Sequence, residues 1–398
     1  MLLYSDDLLQ EPLQEKKQHI KQYRSLHSYA LFRTQWQMAL NCQMVSRRVV
    51  VAKAPGVRAV PVRPAVRRTA AVKVVAYRDA HREEKICSLG SEVVNSWFKG
   101  IAMGPEAARE ALQADCDTTV AYRSHQVLRH HKGQGLDYLL KRINVGHEKM
   151  DLVSHRILAT AACSLDDTFF ALVEYKYKSK VLGDPRVNVG YKIMEMDVMY
   201  DDTCLKVMGL HERSSLSPED VSVIASLDSA HNAGNATPFP EDDLADYPGG
   251  LNNEIVLANS RAWCQARSSG QPESVLDRTL DPSFRLWDAY GVLPVLCDPS
   301  RRGKVDACVV KYDQVKDIIA STKDRYDIKC KLIDNAVSLN KNVGFTHWRS
   351  RIVNKDTKAA FEIEAVEVDL FGADGRLKDI WMFRDPMDVE IEMLQGRK

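Results

Sequence analysis

The chain lacks a long apolar run, a paired cysteine motif and a glycine-rich phosphate loop, and each absence excludes a class of protein. No stretch approaches the roughly 18 apolar residues that a membrane helix needs. The nine cysteines are scattered and never form a Cys-x-x-Cys pair, so we expect free thiols and no structural metal site. Phosphate-loop and Gly-x-Ser-x-Gly motifs are absent, which removes the usual signatures of nucleotide-binding proteins and serine hydrolases. No cofactor is expected.

Acidic residues are missing from a long N-terminal stretch. Between Glu15 and Asp79 there is none, whereas arginine and lysine are spread among Ala, Val and Pro. This composition resembles an organelle transit peptide of green-algal style. We therefore expect residues 1–82 to be a disordered transit peptide that directs the chain to the chloroplast. The mitochondrion is the alternative destination, and the true start is Met1 or Met38. A basic tail that binds nucleic acid or anionic lipid is the other interpretation of the same charges.

The net charge of +1 conceals two oppositely charged parts. Residues 1–82 hold 15 basic and five acidic side chains, which leaves 40 of the 55 basic and 49 of the 54 acidic residues in the body. An acidic body argues against a broad phosphate-binding surface, so no nucleic-acid partner is expected for it. With 45% hydrophobic and 27% charged residues, the composition of the whole chain is typical of a soluble globular protein.

One strand-turn-strand pattern occurs twice. The segment 193–206 aligns without a gap on 365–378, and the same order of helices followed by long strands precedes each copy. We therefore predict two related domains, 83–220 and 254–395. The residues between them, 221–253, are rich in Asn, Asp, Pro and Gly and are expected to form a linker.

The order helix, helix, strand, helix and then a sheet, closed by the hairpins 196–213 and 368–385, resembles the NTF2-like superfamily. That superfamily includes SnoaL-type polyketide cyclases, ketosteroid isomerase and scytalone dehydratase. The resemblance implies an α+β chain of two tandem NTF2-like cone folds, each with three helices packed on a curved antiparallel sheet around a pocket. NTF2-like domains commonly dimerise through their sheets, so it also implies that the two copies pack face to face as an internal pseudo-dimer.

The strand period suggests which residues line each pocket, because residues two apart share a face. One face carries Phe170, Leu172 and Glu174 in the first copy and Val343, Phe345 and His347 in the second. In the next strand, Glu195 of the first copy aligns on Glu367 of the second. A carboxylate among apolar neighbours would have a raised pKa and suit a general base. The simpler alternative is that these acids lie at solvated strand ends.

Aromatic residues are dense in the second copy. An aromatic-lined concavity suits a flat apolar ligand, whereas the alternative is that the same side chains form a core and a domain interface. The predicted ligand-binding residues are Trp287, Tyr290, Phe345, Trp348 and Trp381, together with Glu174 and Glu195.

Two functions follow from this reading, and the sequence does not decide whether the protein is an enzyme. The preferred one is a plastid-targeted, tandem NTF2-like protein that binds a hydrophobic small molecule or a protein partner without catalysis. The alternative is a SnoaL-like isomerase, dehydratase or cyclase whose candidate catalytic residues in the second pocket are His347 with Glu367 or Asp288.

Overall fold

The computed structural model describes residues 79–126, 129–164, 166–183, 185–201, 204–215, 244, 246, 251, 253–271, 273–288 and 309–384. In the first half, the helices are α1 (Ala80–Met103), α2 (Glu106–Asp115) and α3 (Leu136–Lys149). The strands of this half are β1 (Cys116–Gln126), β2 (Arg129–Gln134), β3 (Met150–Cys163), β4 (Thr168–Ser179), β5 (Asn188–Asp201) and β6 (Cys204–Ser214).

The second half repeats this order. Its helices are α4 (Asn253–Ala266), α5 (Leu276–Thr279), which follows a 3-10 turn at Glu273–Val275, and α6 (Tyr312–Arg325). Its strands are β7 (Leu280–Asp288), β8 (Val309–Lys311), β9 (Tyr326–Val337), β10 (Val343–Asn354), β11 (Ala360–Phe371) and β12 (Leu377–Arg384).

The two sheets have the same topology. The first runs β2-β1-β6-β5-β4-β3 and the second β8-β7-β12-β11-β10-β9, with six strands each. Neighbouring strands are antiparallel except for β1 with β6 and β7 with β12, which are parallel. The chain is therefore a mixed α+β protein in which one sheet order occurs twice, as the repeated sequence pattern predicts.

Helix α1 shows how local sequence produces these elements. Its N-cap is Asp79, whose side chain accepts a hydrogen bond from the Arg82 amide, and its C-cap is Gly104 at φ 97°. Apolar residues at helical spacing, among them Val93 and Trp97, are buried against the first sheet. The amphipathic pattern predicts this helix, although the cap places its start at Ala80 rather than at Glu83.

Two segments differ from the prediction. Strand β2 was not expected, because its sequence Arg-His-His-Lys-Gly-Gln has no apolar alternation; it pairs only with β1, at the edge of the sheet. In the predicted linker, Leu244 packs against the cluster between the sheets and Leu251 belongs to the second core, whereas residues 216–243 lie outside the described residues. The linker therefore makes core contacts that its composition does not indicate.

Three apolar clusters define the layers. One lies between α1, α2, α3 and the first sheet, and a second lies between the helices and sheet of the second half. The third joins the two sheets, and at its centre Phe170 and Phe345 stack with ring centroids 5.4 Å apart. The sheets thus pack against each other as the sequence analysis expects, and their central strands are buried on both faces. Within the described part of the chain, no helix is long and apolar enough to span a membrane.

Candidate functional site

The residues predicted to line the pockets lie between the two sheets. In β4, Phe170 and Leu172 contact the second sheet, whereas Phe169 and Val173 face the helices. Glu174 shares the Phe170 face and forms an ion pair with Arg156 at 3.0 Å. The strand period grouped these residues correctly, but they were assigned to the wrong side of the sheet. The reason is that both faces of the strand are apolar, so periodicity alone cannot tell which face the helices cover.

His347 belongs to an ionic cluster at this interface. Its Nδ1 lies 2.7 Å from Glu195 Oε1 of the first sheet, and its Nε2 lies 3.1 Å from Glu364 Oε1 of its own sheet. Arg213 reaches the same two carboxylates at 2.7 and 3.2 Å. The imidazole is therefore enclosed by opposite charges and connects the two sheets.

Burial alone would lower the pKa of His347, but Glu195 and Glu364 outweigh it and raise this pKa above its ordinary value. Burial would raise the pKa of Glu195, but the Arg213 and His347 charges reverse the effect, so this pKa falls. Both shifts favour the charged forms. The cluster acts as a buried salt bridge in which each imidazole nitrogen faces a carboxylate.

Glu367 lies on the opposite face of the second sheet from His347. It accepts hydrogen bonds from Trp263 Nε1 at 2.9 Å and Arg267 Nη1 at 2.8 Å, both from the helix side. His347 pairs with Val366 across the strands, so alternation points Glu367 the other way. The predicted catalytic pair of His347 with Glu367 is therefore not formed. The side chain of Asp288 lies outside the described residues.

The predicted aromatic site is divided between two places. Phe345 and Trp381 belong to the cluster between the sheets, where Trp381 contacts Tyr191 and Trp287. Trp348 instead lies in the helix-side core, with its ring centre 4.1 Å from the Arg267 guanidinium. Tyr290 lies outside the described residues. The described aromatic side chains thus form a core and an interface, which was the alternative interpretation of their density.

The helix side of the second sheet contains a sealed carboxyl pair. Asp369 lies beside Glu367 and is fully buried, and its Oδ2 accepts hydrogen bonds from Ser260 at 2.9 Å and Thr346 at 2.6 Å. Burial and the charge of Glu367 raise the pKa of Asp369 to about 7. Arg267 and Trp263 already donate hydrogen bonds to the Glu367 carboxylate. The Glu367–Asp369 pair is therefore part of a structural network in the core.

The helix side of the first sheet is different, because it combines a lysine with aromatic rings. We call this group the helix-side cluster: Trp97, Phe98, Tyr122, Tyr175, Lys192 and Glu212. Lys192 Nζ lies 2.6 Å from Glu212 Oε1, and 5.7 and 5.9 Å from the ring centres of Phe98 and Tyr175. These distances fit cation–π contacts. The Lys192 side chain is largely buried, with 12% of its surface exposed.

A second donor lies in the same cluster. The Trp97 indole stacks on Tyr122 with ring centroids 5.8 Å apart, and its Nε1 is buried without a hydrogen-bond partner among the described residues. Buried donors without a partner are uncommon in folded proteins and call for an acceptor from a ligand or a water, and Trp348 Nε1 of the second half is a further one. The cluster thus places an ammonium group beside aromatic rings, together with an indole N–H that has no partner among the described residues.

The acid of the cluster is already occupied. Glu212 Oε2 accepts a hydrogen bond from Tyr122 Oη at 2.5 Å, while Oε1 pairs with Lys192. Burial and the neighbouring Glu212 carboxylate raise the pKa of Tyr122 well above its ordinary value, so its hydroxyl stays protonated and donates. With both carboxylate oxygens engaged, the geometry fits recognition of a ligand better than abstraction of a proton.

The sequence analysis missed this cluster, although one signal indicates it. Lys192 is in phase with Met194 and Met196, so a charged residue stands in a stripe that is otherwise apolar and faces the helices. Glu212 follows Leu210 in the same way on β6. A charge on an apolar stripe, with an opposite charge on another strand, predicts a buried pair.

One group of metal-type ligands crosses the interface. Cys163, Asp166 and Asp334 place one ligand atom each within 4.8 Å of the others. Asp166 is exposed, and exposed acidic groups are common without an ion, so this arrangement does not define a metal site.

Comparison with known proteins gives distant structural likenesses. No protein-family model matches the chain, and no curated protein matches it. PrhC from Penicillium brasilianum is 19% identical with a TM-score of 0.27, covering 36% of this chain and 87% of its own. An LEH-like epoxide hydrolase from M. tuberculosis is 9% identical with a TM-score of 0.26, covering 36% and 90%. An NTF2-like protein of unknown function from Exiguobacterium is 13% identical with a TM-score of 0.24, covering 33% and 99%. Likenesses with TM-scores this low say nothing about the activity of this chain.

Proposed function

We propose that the chain is a tandem NTF2-like binding protein, an internal pseudo-dimer in which the first copy holds an apolar small molecule on its helix side. The observation that carries this proposal is that two hydrogen-bond donors lie with aromatic rings in one cluster: Lys192 Nζ, and Trp97 Nε1, which has no partner among the described residues. Small-molecule sites are mostly apolar and contain a few polar groups that fix orientation.

The charges of the cluster select the ligand class. Lys192 and Glu212 are 2.6 Å apart and together carry no net charge, so a ligand anion would be attracted by one and repelled by the other. A neutral acceptor avoids this repulsion and can still take a hydrogen bond from the ammonium or the indole. The cluster is therefore suited to a flat, uncharged molecule with a carbonyl oxygen, such as an aryl ketone or a quinone.

Two probes of nearly equal shape test this proposal. Benzophenone has a carbonyl between two rings, whereas diphenylmethane has the rings without the acceptor. We expect Lys192→Met to weaken benzophenone binding about tenfold or more, because a hydrogen bond to a charged group contributes about 1.5–3 kcal/mol. Equilibrium dialysis measures both affinities. Diphenylmethane should bind wild type and variant alike.

The matched control is Lys178→Met, which removes an exposed lysine from the neighbouring strand. It should leave both affinities unchanged. Equal benzophenone binding by wild type and Lys192→Met would contradict the proposal, as would saturable binding of diphenylmethane alone.

The enzyme alternative loses one of its two candidate pairs in the second half. His347 and Glu367 lie on opposite faces of one sheet and are each held by other partners, whereas the side chain of Asp288, the other candidate partner of His347, lies outside the described residues. We therefore propose binding without catalysis.

We also propose that residues 1–82 direct the chain to the chloroplast. The support is the run of basic residues without acid between Glu15 and Asp79. A fusion of residues 1–82 to a fluorescent protein in green-algal cells tests this: fluorescence in the plastid is expected, and fluorescence in the mitochondrion or cytosol would contradict it.

A further inference from the structure

Two cysteines meet at the junction of a helix and a strand in the second half. Cys264 lies on α4 and is 1% exposed, while Cys330 lies on β9 and is half-buried. Their Sγ atoms are 3.0 Å apart, although 66 positions separate the residues in the chain. Both are free thiols. This separation is why no Cys-x-x-Cys motif indicates the pair.

Hydrogen bonds other than the sulfur contact hold the helix end against the strand. The Ser268 hydroxyl accepts from the Cys330 amide at 2.9 Å. Ser269 both accepts from the Ile328 amide and donates its own amide to the Ile328 carbonyl, each at 2.9 Å. The chain just after Cys264 is therefore held to the strand around Cys330 by bonds that do not involve the thiols.

The surroundings favour one thiolate. The hydrogen bond from Cys264 lowers the pKa of Cys330 to about 6, and the charge of Arg267 adds to this effect against the opposing effect of burial. The same hydrogen bond raises the pKa of Cys264, which donates it. Because the thiolate is the nucleophile and Cys330 is the more exposed of the two, Cys330 is the sulfur that an oxidant meets first.

We propose that Cys264 and Cys330 are a modification site at which a peroxide forms a reversible disulfide. The Cys330 thiolate attacks one oxygen of hydrogen peroxide, the O–O bond breaks, and the leaving hydroxide takes a proton to become water. The Cys264 sulfur then attacks the resulting sulfenic acid, forming the S–S bond and releasing a second water as the S–O bond breaks. Two thiols are oxidised and one peroxide is reduced.

The geometry requires little movement for this step. The sulfurs need to close from 3.0 Å to the covalent distance of about 2 Å, while the backbones are already held together. The product links α4 to β9 and closes a long loop, so it restricts the unfolded chain more than the folded one. Oxidation should therefore raise the thermal stability of the second half, and a dithiol reductant should reverse the gain.

The test is direct mapping of the linkage in the full wild-type chain. Native protein is treated with a small excess of hydrogen peroxide, its remaining thiols are alkylated, and its peptides are analysed by mass spectrometry. We expect one peptide pair joined through Cys264 and Cys330, which disappears after dithiothreitol. The melting temperature of the oxidised protein should rise by on the order of 5 °C and return on reduction.

Two variants complete the test. Cys264→Ser should abolish the linkage and the temperature shift, leaving the Cys330 sulfenic acid to react with a dimedone probe. Cys204→Ser, at an exposed single cysteine, should change neither. Further oxidation of wild-type Cys330 to sulfinic acid without linkage, or linkage of Cys330 to another cysteine, would overturn the proposal. Since the linkage is mapped in wild-type protein, this outcome does not depend on whether the variants fold.

Discussion

A single buried carboxyl group, Asp369, gives the second half a pH dependence of its own. Its neighbours on the helix side are Glu367, whose charge is matched by Arg267, and the hydroxyls of Ser260 and Thr346. Its Oδ1 has no hydrogen-bond partner among the described residues. Ionised Asp369 would therefore lie beside another carboxylate with few groups to stabilise it.

The sign of the effect follows from the direction of the shift. Burial and Glu367 raise the pKa of Asp369 from 3.8 to about 7, so the folded chain keeps this proton longer than the unfolded chain. Its contribution to stability is complete below pH of about 4 and is lost as the pH rises through about 7. The free energy of unfolding of wild type should therefore fall relative to that of Asp369→Asn as the pH rises from about 4 to about 7. The difference between the two should change by at most about 1.4 kcal/mol per pH unit.

Urea unfolding of both proteins between these pH values measures the difference in free energy of unfolding. Taking the difference removes the contributions of other titrating groups that both chains share. Parallel profiles for wild type and Asp369→Asn would show that the carboxyl does not titrate in this range.

At the scale of elements, the contact between β5 and β10 depends on the charge of an imidazole. His347 of β10 lies between Glu195 of β5 and Glu364 of β11, and its pKa is raised. A base with a raised pKa contributes stability that is complete below its ordinary value of about 6.5 and is lost as the pH rises through the folded value. The packing of the two sheets should therefore be tightest under mildly acidic conditions.

Replacing this imidazole tests that dependence. We expect His347→Gln to reduce the free energy of unfolding by about 3–5 kcal/mol near pH 6, the usual cost of breaking a buried ion pair, and by less near pH 9. His81→Gln, at an exposed position on α1, is the control and should cost little at either pH. Chemical unfolding at the two pH values measures both variants. An equal loss for His347→Gln at pH 6 and pH 9 would mean that the imidazole only fills space.

The order of the helices and long strands could be predicted from the sequence, whereas the short edge strand β2 and the side of each sheet could not. The long strands and amphipathic helices have strong periods, and the structure contains them in the predicted order. In β5, however, Tyr191 and Ile193 are as apolar as Met194 and Met196 on the other face. A strand buried on both faces carries no signal for the side that the helices cover.

The alignment of the two repeated segments is one residue out of register with the structure. The ungapped alignment equates Glu195 with Glu367, yet Glu195 faces the other sheet and Glu367 faces the helices. A slip of one position moves every side chain of a strand to the opposite face. Both hairpins contain a register shift near this point, after Asp197 in the first and after Leu370 in the second. Neither irregularity is visible in the sequence, so the apparent pair of matching acids was not a pair of matching sites.

At the scale of the whole molecule, each sheet has one face packed against the other sheet. The face toward the helices is what remains in each half for a ligand. The second helix side is filled by the network of Arg267, Glu367 and Asp369. The first holds the helix-side cluster, in which a lysine ammonium lies among aromatic rings. An indole N–H without a hydrogen-bond partner among the described residues occurs on both helix sides, at Trp97 and at Trp348, so the lysine is what distinguishes the first. The account therefore predicts one ligand site for two copies of the sheet order, and places it in the first copy.

Photo-crosslinking with benzophenone tests this placement most directly, because the ketone that is proposed to bind also forms a covalent bond to nearby C–H groups when it is irradiated. The full chain is irradiated with the probe, and the labelled peptides are mapped by mass spectrometry, with Lys192→Met as the matched variant. The account predicts labelling on α1, β4 and β5, around Phe98, Tyr175 and Lys192, and a marked loss of that labelling in the variant. Labelling concentrated in the second half, or labelling around Phe98 that Lys192→Met leaves unchanged, would contradict it.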